Sequence, residues 1–311
     1  MTQAKQTTPT DTKRPQDAWS VSADLLTTLS VLDRELSEGL KESCGLSLTQ
    51  FRIMLKLEEL GKRSRVRDIA AAIDLKSNTV SSAIAKLEEA GHVERGRLPE
   101  DGRAVCVALT RKGKRLIGKV KDELAARFDE AWGDVPDEVS ASMDDVMRFI
   151  GALVEKQPVE TEGAGFSSEY VTTIAESYDT VVGTLKSSVR LPLTEWRALN
   201  ELDEAGGSLR MSQLTSRLMI PRNTATWITD ELERSALVRR AAGDEAANSV
   251  YVELTDEGRD TLVAGRAAVD AMCRARLWKG LSNAQLERVF EAASMYADES
   301  RRRFTRKQRA F

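Results

Sequence analysis

The chain has 311 residues, which allows about two domains, and its 19 Gly and 7 Pro are too few for a low-complexity chain. Hydrophobic residues make up 41% of it, yet the longest apolar runs fall far short of the roughly 20 residues that a membrane helix needs, so we expect no membrane association. The formal net charge of −3 excludes a uniformly basic nucleic-acid binder and leaves only one whose charge is unevenly distributed.

The N-terminus is polar and lacks the apolar core of a signal peptide. We therefore expect a disordered tail over residues 1–17 and a cytoplasmic protein.

Cysteine and histidine are scarce. The three cysteines (Cys44, Cys106 and Cys273) are widely spaced without a C-x-x-C pair, and His92 is the single histidine. This pattern indicates neither a zinc site nor a disulfide framework, and we expect free thiols, no metal and no cofactor. The motifs of phosphate-binding loops, dinucleotide sites, nucleophile elbows and zinc hydrolases are missing from the sequence. We predict that the chain is not an enzyme.

Helical periodicity begins near the start of the chain. Between Trp19 and Leu40 the leucines recur at helical spacing, and a second helix is predicted from Thr49 to about Leu60, ended by Gly61. A short third helix over 67–73 carries an apolar stripe.

The next helix has two distinct faces. Ser77 is a good N-cap residue, so we predict a helix over 77–90 whose inner face carries Val80, Ile84 and Leu87. The opposite face is polar. Gly91 follows, where a left-handed residue would end the helix.

Alternating apolar residues then predict a β-hairpin. Val93 lies on its first strand, Val105, Val107 and Leu109 lie on its second, and residues 99–102 form a polar tip. Helix, turn, helix and hairpin is the layout of a winged helix-turn-helix, which places its second helix in the major groove of DNA.

The hairpin carries the most specific motif. Asp101-x-Arg103, five residues and then Leu109-Thr110-x-x-Gly113 match the D-x-R-x5-L-T-x-x-G pattern of the MarR family of bacterial regulators. The chain resembles that family here. The resemblance implies that Arg103 reaches into the minor groove while Asp101 orients it, and that the partner is double-stranded DNA.

The second half of the chain repeats the first. A long helix is predicted from Thr110 to about Trp132 and a further helix after Pro136, followed by a polar linker over 156–165. Leu48-Thr-Gln-Phe51 then recurs as Leu193-Thr-Glu-Trp196, and the L-T-x-x-G motif recurs at Leu254, both 145 positions later. A period of this length indicates a duplicated domain.

The resemblance and the repeat together predict the fold. Members of the family are homodimers that interlock through their first and last helices. We therefore predict a mainly α fold with small β-wings (α+β), in which two tandem winged helix-turn-helix domains are joined by long dimerisation-type helices into an intramolecular pseudo-dimer. The predicted domains cover 18–155 and 166–304, with a basic tail over 305–311. The sequence leaves open whether the chain works alone or pairs with a second copy.

The two halves differ in charge. Residues 61–121 hold 15 Lys or Arg and 7 Asp or Glu, a local charge of +8, whereas residues 206–266 hold 8 and 9, a local charge of −1. In the second half Asn248 replaces Arg103, Trp227 replaces Ser82 and Glu231 replaces Lys86. Phosphate contacts are local, so we expect the first half to supply most of the affinity for DNA.

We predict DNA contacts at polar and basic positions of both helix-turn-helix units and of the first wing. They are Ser77, Asn78, Thr79, Ser81, Ser82, Lys86, Arg97, Asp101, Arg103, Arg65 and Arg67, and, in the second half, Arg222, Asn223, Thr224 and Thr226. The alternative is that these residues form only the solvated faces of amphipathic helices.

The family often binds small aromatic compounds between its dimerisation helices and its winged domain. By position, such a pocket would be lined by Trp19, Phe51, Tyr170, Tyr178 and Trp196, unless these aromatic residues are plain core. We predict a repressor that grips a promoter mainly through its first half and is released by a small aromatic effector. The alternative is a protein-interaction module, such as an antirepressor, with reduced DNA binding.

Overall fold

A computed structural model of the chain describes residues 19–73, 75–98, 101–132, 141, 147, 168–242 and 250–309. The predicted tail over 1–17, the predicted helix after Pro136 and the predicted linker over 156–165 lie outside the described residues. The domain boundaries that depend on these segments stay predictions.

Helices and two small sheets make up both halves, as predicted. The first half contains, in order, α1 (Ala23–Cys44), α2 (Leu48–Leu60), β1 (Ser64–Arg65), α3 (Val66–Ala72), α4 (Ser77–Glu89), β2 (Val93–Leu98), β3 (Asp101–Leu109) and α5 (Arg111–Trp132). The second half contains α6 (Ser168–Ser188), α7 (Leu193–Glu204), β4 (Ser208–Arg210), α8 (Met211–Leu218), α9 (Arg222–Arg234), β5 (Val238–Ala242), β6 (Val250–Leu254), α10 (Asp256–Ala275) and α11 (Asn283–Arg309). We call α2 to β3 the first lobe and α7 to β6 the second lobe.

Three local predictions need correction. The first helix begins at Ala23 rather than Trp19, because Ser22 accepts the free Leu25 N–H as an N-cap. Ser77 is the first residue of α4 and makes no capping bond, since Lys76 occupies the N-cap position. The last helix runs to Arg309, past the predicted domain end at 304, so most of the predicted basic tail is helical.

The repeat seen in the sequence is also present in the strand pairing. Each lobe has a three-stranded antiparallel sheet, with strand orders β1-β3-β2 and β4-β6-β5. Val93 pairs with Leu109, and Val238 pairs with Leu254 at the same relative positions. The winged helix layout predicted for both halves is confirmed.

The L-T-x-x-G motif holds each wing against the helix that follows it. The Thr110 hydroxyl donates to the Gly91 carbonyl at 2.8 Å and accepts the Gly113 N–H at 3.0 Å. A Cβ atom on Gly113 would lie 2.1 Å from the His92 carbonyl oxygen, so only glycine fits there. Gly258 is packed equally closely against the Leu237 carbonyl in the second lobe.

The two halves interlock and share their cores. The core of the first lobe includes Tyr170 and Ile174 from α6 and Tyr296 from α11, while the core of the second lobe includes Trp19 and Leu26. Each half therefore buries apolar residues of the other, which is the arrangement expected of an intramolecular pseudo-dimer.

Buried arginines occupy equivalent positions in the two lobes. Arg52 donates to the Ile73 carbonyl at 2.8 Å and to the Glu176 carboxylate of α6 at 3.0 Å. Arg197, 145 positions later, donates to the Thr27 hydroxyl of α1 at 3.0 Å, and burial lowers its pKa to about 10. Both arginines thus bind a lobe to a helix contributed by the other half.

An acidic pair lies between α1 and α6. Burial, and then the nearby Asp179 carboxylate, raise the pKa of Asp33 to about 6 from an ordinary value of 3.8. The folded state therefore holds this proton more tightly than the unfolded state, and the ionised carboxylate costs stability. This contribution weakens the fold as the pH rises through the window from about 4 to about 6.

Replacing Asp33 with Asn should remove that cost. We expect Asp33→Asn to raise the urea midpoint at pH 7.5 and to raise it less at pH 4.5, where the wild-type carboxyl is largely protonated. Asp122→Asn, at an exposed position of α5, is the control and should change neither value by much. Equal stabilisation by Asp33→Asn at both pH values would contradict the assignment.

No helix in the described ranges is both long enough and apolar enough to cross a membrane.

Candidate nucleic-acid interface

The polar face predicted on α4 is presented to solvent. Val80, Ala83, Ile84 and Leu87 form its buried face. The six predicted contact residues on this helix are all exposed, namely Ser77, Asn78, Thr79, Ser81, Ser82 and Lys86. The sequence pattern thus identified the faces of this helix correctly, and the role of the exposed face in DNA contact stays a prediction.

An asparagine near the start of each of α4 and α9 accepts a backbone N–H with its side chain. The Asn78 side-chain oxygen accepts the Thr79 N–H at 2.8 Å, and the Asn223 oxygen accepts the Thr224 N–H at 2.9 Å in the second lobe. The amide oxygen is thereby occupied, and the NH₂ group of each asparagine keeps its two donors for an outside acceptor.

The other predicted residues of the first lobe lie around this helix. Arg65 is half-buried at the N-cap of α3, and Arg67 is exposed with its guanidinium 3.3 Å from the Asp68 carboxylate. Arg97 is exposed on β2 and pairs through its backbone with Val105. Asp101 and Arg103 belong to β3, and their side chains lie outside what the structure describes.

Several cations of the first lobe are available for an outside partner. Lys76, Lys86 and Arg97 are exposed, and none of them forms an ion pair within the described part of the chain. Lys112, at the start of α5, donates to the Ala90 carbonyl at the end of α4, at 2.8 Å. The first three cations offer positive charge without an acidic partner in the described residues, which favours binding to phosphates, whereas Arg95 and Arg63 nearby are paired with Glu88 and Glu94.

The second lobe presents a different surface on the equivalent helix. Arg222, Asn223 and Thr226 are exposed on α9, Thr224 is half-buried, and the Thr226 hydroxyl donates to the Arg222 carbonyl at 3.0 Å. Trp227 is 56% exposed at the position equivalent to Ser82. The predicted residues are thus on the surface, beside a large apolar side chain.

Arginines near the second wing are neutralised internally. The Arg240 guanidinium pairs with Asp230 at 2.6 Å and also with Glu233, and Arg239 pairs with Glu253 at 2.7 Å. These pairs neutralise two of the 8 arginines over 206–266.

Comparison with known proteins agrees with the fold and with the repeat. Family models described as "MarR family" match residues 46–105 and, separately, residues 191–247. The two matches begin 145 positions apart, at equivalent points of the two lobes. Each lobe is thus similar to the MarR family, and the two matched regions together cover less than half of the chain.

Individual relatives match one MarR-type lobe at a time. The HTH-type transcriptional regulator TtmR of Methylorubrum extorquens is 37% identical over 75 residues, which cover 24% of this chain and 38% of that protein. The HTH-type transcriptional regulator SarZ of Staphylococcus epidermidis is 24% identical over 40% of this chain and 81% of that protein. The chain thus spans less than half the length of TtmR.

A solved structure also matches part of the chain. A MarR-family transcriptional regulator from Streptomyces coelicolor, solved in complex with DNA, is 22% identical, with a TM-score of 0.38 over 42% of this chain and 84% of that one. The family and its relatives are regulators and not enzymes, as we predicted.

An apolar cavity of about 80 Å³ lies between α1, α6 and the segment that follows α10. Its walls are formed mainly by aliphatic residues of α1 and α6, together with Leu277 and Trp278. None of the five aromatic residues predicted to line a pocket contributes to these walls.

Helix faces explain why these aromatic residues do not line this cavity, and their role in a ligand pocket stays a prediction. Ser177 and Val181 of α6 line the cavity, whereas Tyr178 lies one position round the helix and packs against the second core. Trp19, Phe51, Tyr170 and Trp196 are buried in the two cores. Trp196 packs so closely on α10 that a Cβ atom on Gly265 would lie 2.6 Å from its indole nitrogen.

The three cysteines are free thiols. Burial raises the pKa of Cys44, and burial with the nearby Asp270 carboxylate raises the pKa of Cys273 to about 12. Both shifts disfavour the reactive thiolate. Among the described residues, no group of three or more His, Cys, Asp or Glu is placed to hold a metal ion.

Proposed function

We propose that the chain is a DNA-binding transcriptional repressor that grips a promoter site mainly through α4 and the wing of the first lobe. The observation that carries this proposal is the exposed face of α4, where Lys86 and its polar neighbours have no acidic partner. The equivalent face of α9 instead presents Trp227 and Glu231. Repression then follows from occupancy of the promoter.

The difference between the two lobes determines the expected symmetry of the DNA site. A homodimer must present two identical recognition helices, but a single chain with two lobes can present two different ones. We expect one chain to protect an asymmetric site, in which the half bound by the first lobe carries most of the sequence information. If two chains pair, two first lobes would read a symmetric site.

Arginine 103 provides the test of this function. Because the family resemblance implies that its side chain reaches into the minor groove, Arg103→Ala should weaken binding to the promoter by about tenfold to a hundredfold in a gel-shift titration. Asn248→Ala is the matched control, since it truncates the equivalent residue of the second wing and should change binding little. Wild-type affinity for Arg103→Ala would contradict a first-lobe mechanism.

A small aromatic effector is a further part of the proposal. The cavity between α1 and α6 is apolar, but at about 80 Å³ it is smaller than the roughly 150 Å³ of a cavity known to admit benzene. Binding would therefore move α1 and α6 apart and change the separation of the recognition helices. Stabilisation by aromatic acids in a thermal-shift screen, lost in Val181→Trp, would support this step.

The alternative function, a protein-interaction module, is favoured by one observation. Trp227 is 56% exposed on α9, and exposed tryptophans are common at the centres of protein interfaces. If the chain is a protein-interaction module, the wild-type chain should bind no promoter fragment, including the fragment upstream of its own gene. Promoter binding by the wild-type chain separates the two functions.

A further inference from the structure

The last helix ends in a strongly basic run. Residues 301–309 contain six Lys or Arg and no acidic residue. Residues 154–162, which end the first repeat in the sequence, contain one Lys and three Glu. The half that lacks basic charge on its winged lobe therefore has a basic C-terminal helix, whereas the sequence that ends the other half is not basic.

Part of this run is anchored to the fold. The Arg301 guanidinium donates to Asp24 of α1 at 2.7 Å and to Glu201 of α7 at 3.0 Å. Arg303 donates to Glu299, one turn earlier on the same helix, at 3.1 Å. The Arg301 bonds hold α11 against α1 and α7, whereas the Arg303 bond lies within α11.

The helix then runs along α8 towards the recognition helix of the second lobe. Glu201, which binds Arg301, also accepts a bond from Arg217 near the C-terminal end of α8, at 3.2 Å. Seven residues further on, about 10 Å along the helix axis, Gln308 lines a groove together with Ser212 near the N-terminal end of α8. The end of α11 is thus placed beside the second lobe.

The groove has a volume of about 480 Å³ and is bordered by α8, α9 and the second wing. Arg222 and Thr226, one turn apart on the exposed face of α9, form one wall of it. Arg240 also borders the groove but is paired with Asp230 and Glu233. Arg222 forms no ion pair with any described residue.

Two exposed arginines lie on α11 shortly before Gln308. Arg302 and Arg306, one turn apart, border a second depression with Thr305, Arg301 and Asp298, and Asp298 is paired with Arg301 at 3.3 Å. Arg306 has no ion pair among the described residues, and Arg302 has only a long contact of 3.7 Å with Glu299. The end of α11 therefore presents positive charge to solvent.

We propose that the C-terminal end of α11 binds the phosphate backbone of DNA beside the recognition helix of the second lobe. This proposal rests on the proposed function, and it assigns to the second lobe a contact that carries charge but no sequence information. A polar groove next to α9, in which the Arg222 guanidinium has no acidic partner among the described residues, is complementary to a polyanion. The basic end of α11 thereby replaces the charge that the second wing has lost.

The test compares two double variants that remove the same charge. Arg302→Gln with Arg306→Gln should weaken promoter binding about tenfold at 0.1 M salt and lower the slope of log affinity against log salt by about 2. Lys279→Gln with Arg288→Gln, at exposed positions near the other end of α11, should leave the slope unchanged. Thermal melting of each variant confirms folding, and Arg306→Gln alone replaces the double variant if that one is unfolded.

Each outcome decides the proposal. A wild-type slope and affinity for Arg302→Gln with Arg306→Gln would overturn it while leaving the first-lobe mechanism intact. An equal loss in the control pair would also overturn it, because the effect would then reflect total charge. If the wild-type chain binds no promoter fragment, the proposed function fails and this proposal fails with it.

Discussion

Reversing the charge at Lys86 is expected to weaken promoter binding by about 30-fold to 100-fold. Lys86 is exposed on the polar face of α4 and forms no ion pair with any described residue, so its charge is available to an outside partner. Lys86→Glu removes that attraction and adds repulsion from the phosphates. A loss of about 2–3 kcal/mol is the range expected for a specific contact of this kind.

The second lobe supplies the matched control for Lys86. Glu231 occupies the equivalent position on α9, where it accepts a bond from Arg234. Glu231→Lys should leave promoter binding unchanged or strengthen it slightly, because it adds positive charge to a lobe that contributes little affinity. Gel-shift titrations of both variants at one salt concentration check this pair. Equal losses of promoter affinity for both variants would mean that the two lobes contribute equally to DNA binding.

The largest loss of stability is expected from Gly113→Ala. A Cβ atom at this position would lie 2.1 Å from the His92 carbonyl oxygen, which is backbone and cannot move aside cheaply. We expect the free energy of unfolding to fall by about 3 kcal/mol, as for other overpacked sites, and the wing to lose its position against α5. Urea unfolding followed by circular dichroism measures the change.

Another glycine on α5 controls for helix propensity. Gly118 is exposed, and a Cβ atom there would meet nothing within 4 Å. Gly118→Ala should stabilise the chain by about 0.5–1 kcal/mol, because alanine is the better helix former. If Gly113→Ala were as stable as Gly118→Ala, the close packing of the L-T-x-x-G motif would not be the reason for its glycine.

The features that could be predicted from the sequence are those set by local physics. The spacing of Val80, Ile84 and Leu87 fixed which face of α4 is buried, and the L-T-x-x-G motif marked the joint between wing and helix. The 145-residue repeat predicted two interlocked lobes, because it duplicated a complete pattern of helices and strands.

The features that could not be predicted depend on packing between distant segments. Arg52 and Glu176 are 124 residues apart, and no pattern in the sequence relates them. The residues that line the cavity could not be predicted for the same reason. Periodicity places Tyr178 on an apolar side of α6, but only the position of α1 determines that Ser177 and Val181 face the cavity. The course of α11 along α8 also depends on contacts made by Arg301 with two other helices.

Under the proposed function, the first lobe supplies most of the DNA affinity of an asymmetric pseudo-dimer. Hydroxyl-radical footprinting on a promoter fragment bound by a single chain, with the stoichiometry fixed by sedimentation, tests it most directly. For the wild-type chain we expect strong protection of DNA over one turn of the groove, where the first lobe binds, and weaker protection of the backbone where the second lobe binds. The strong protection should be lost in Lys86→Glu. Two equally protected turns that both survive Lys86→Glu would contradict the claim.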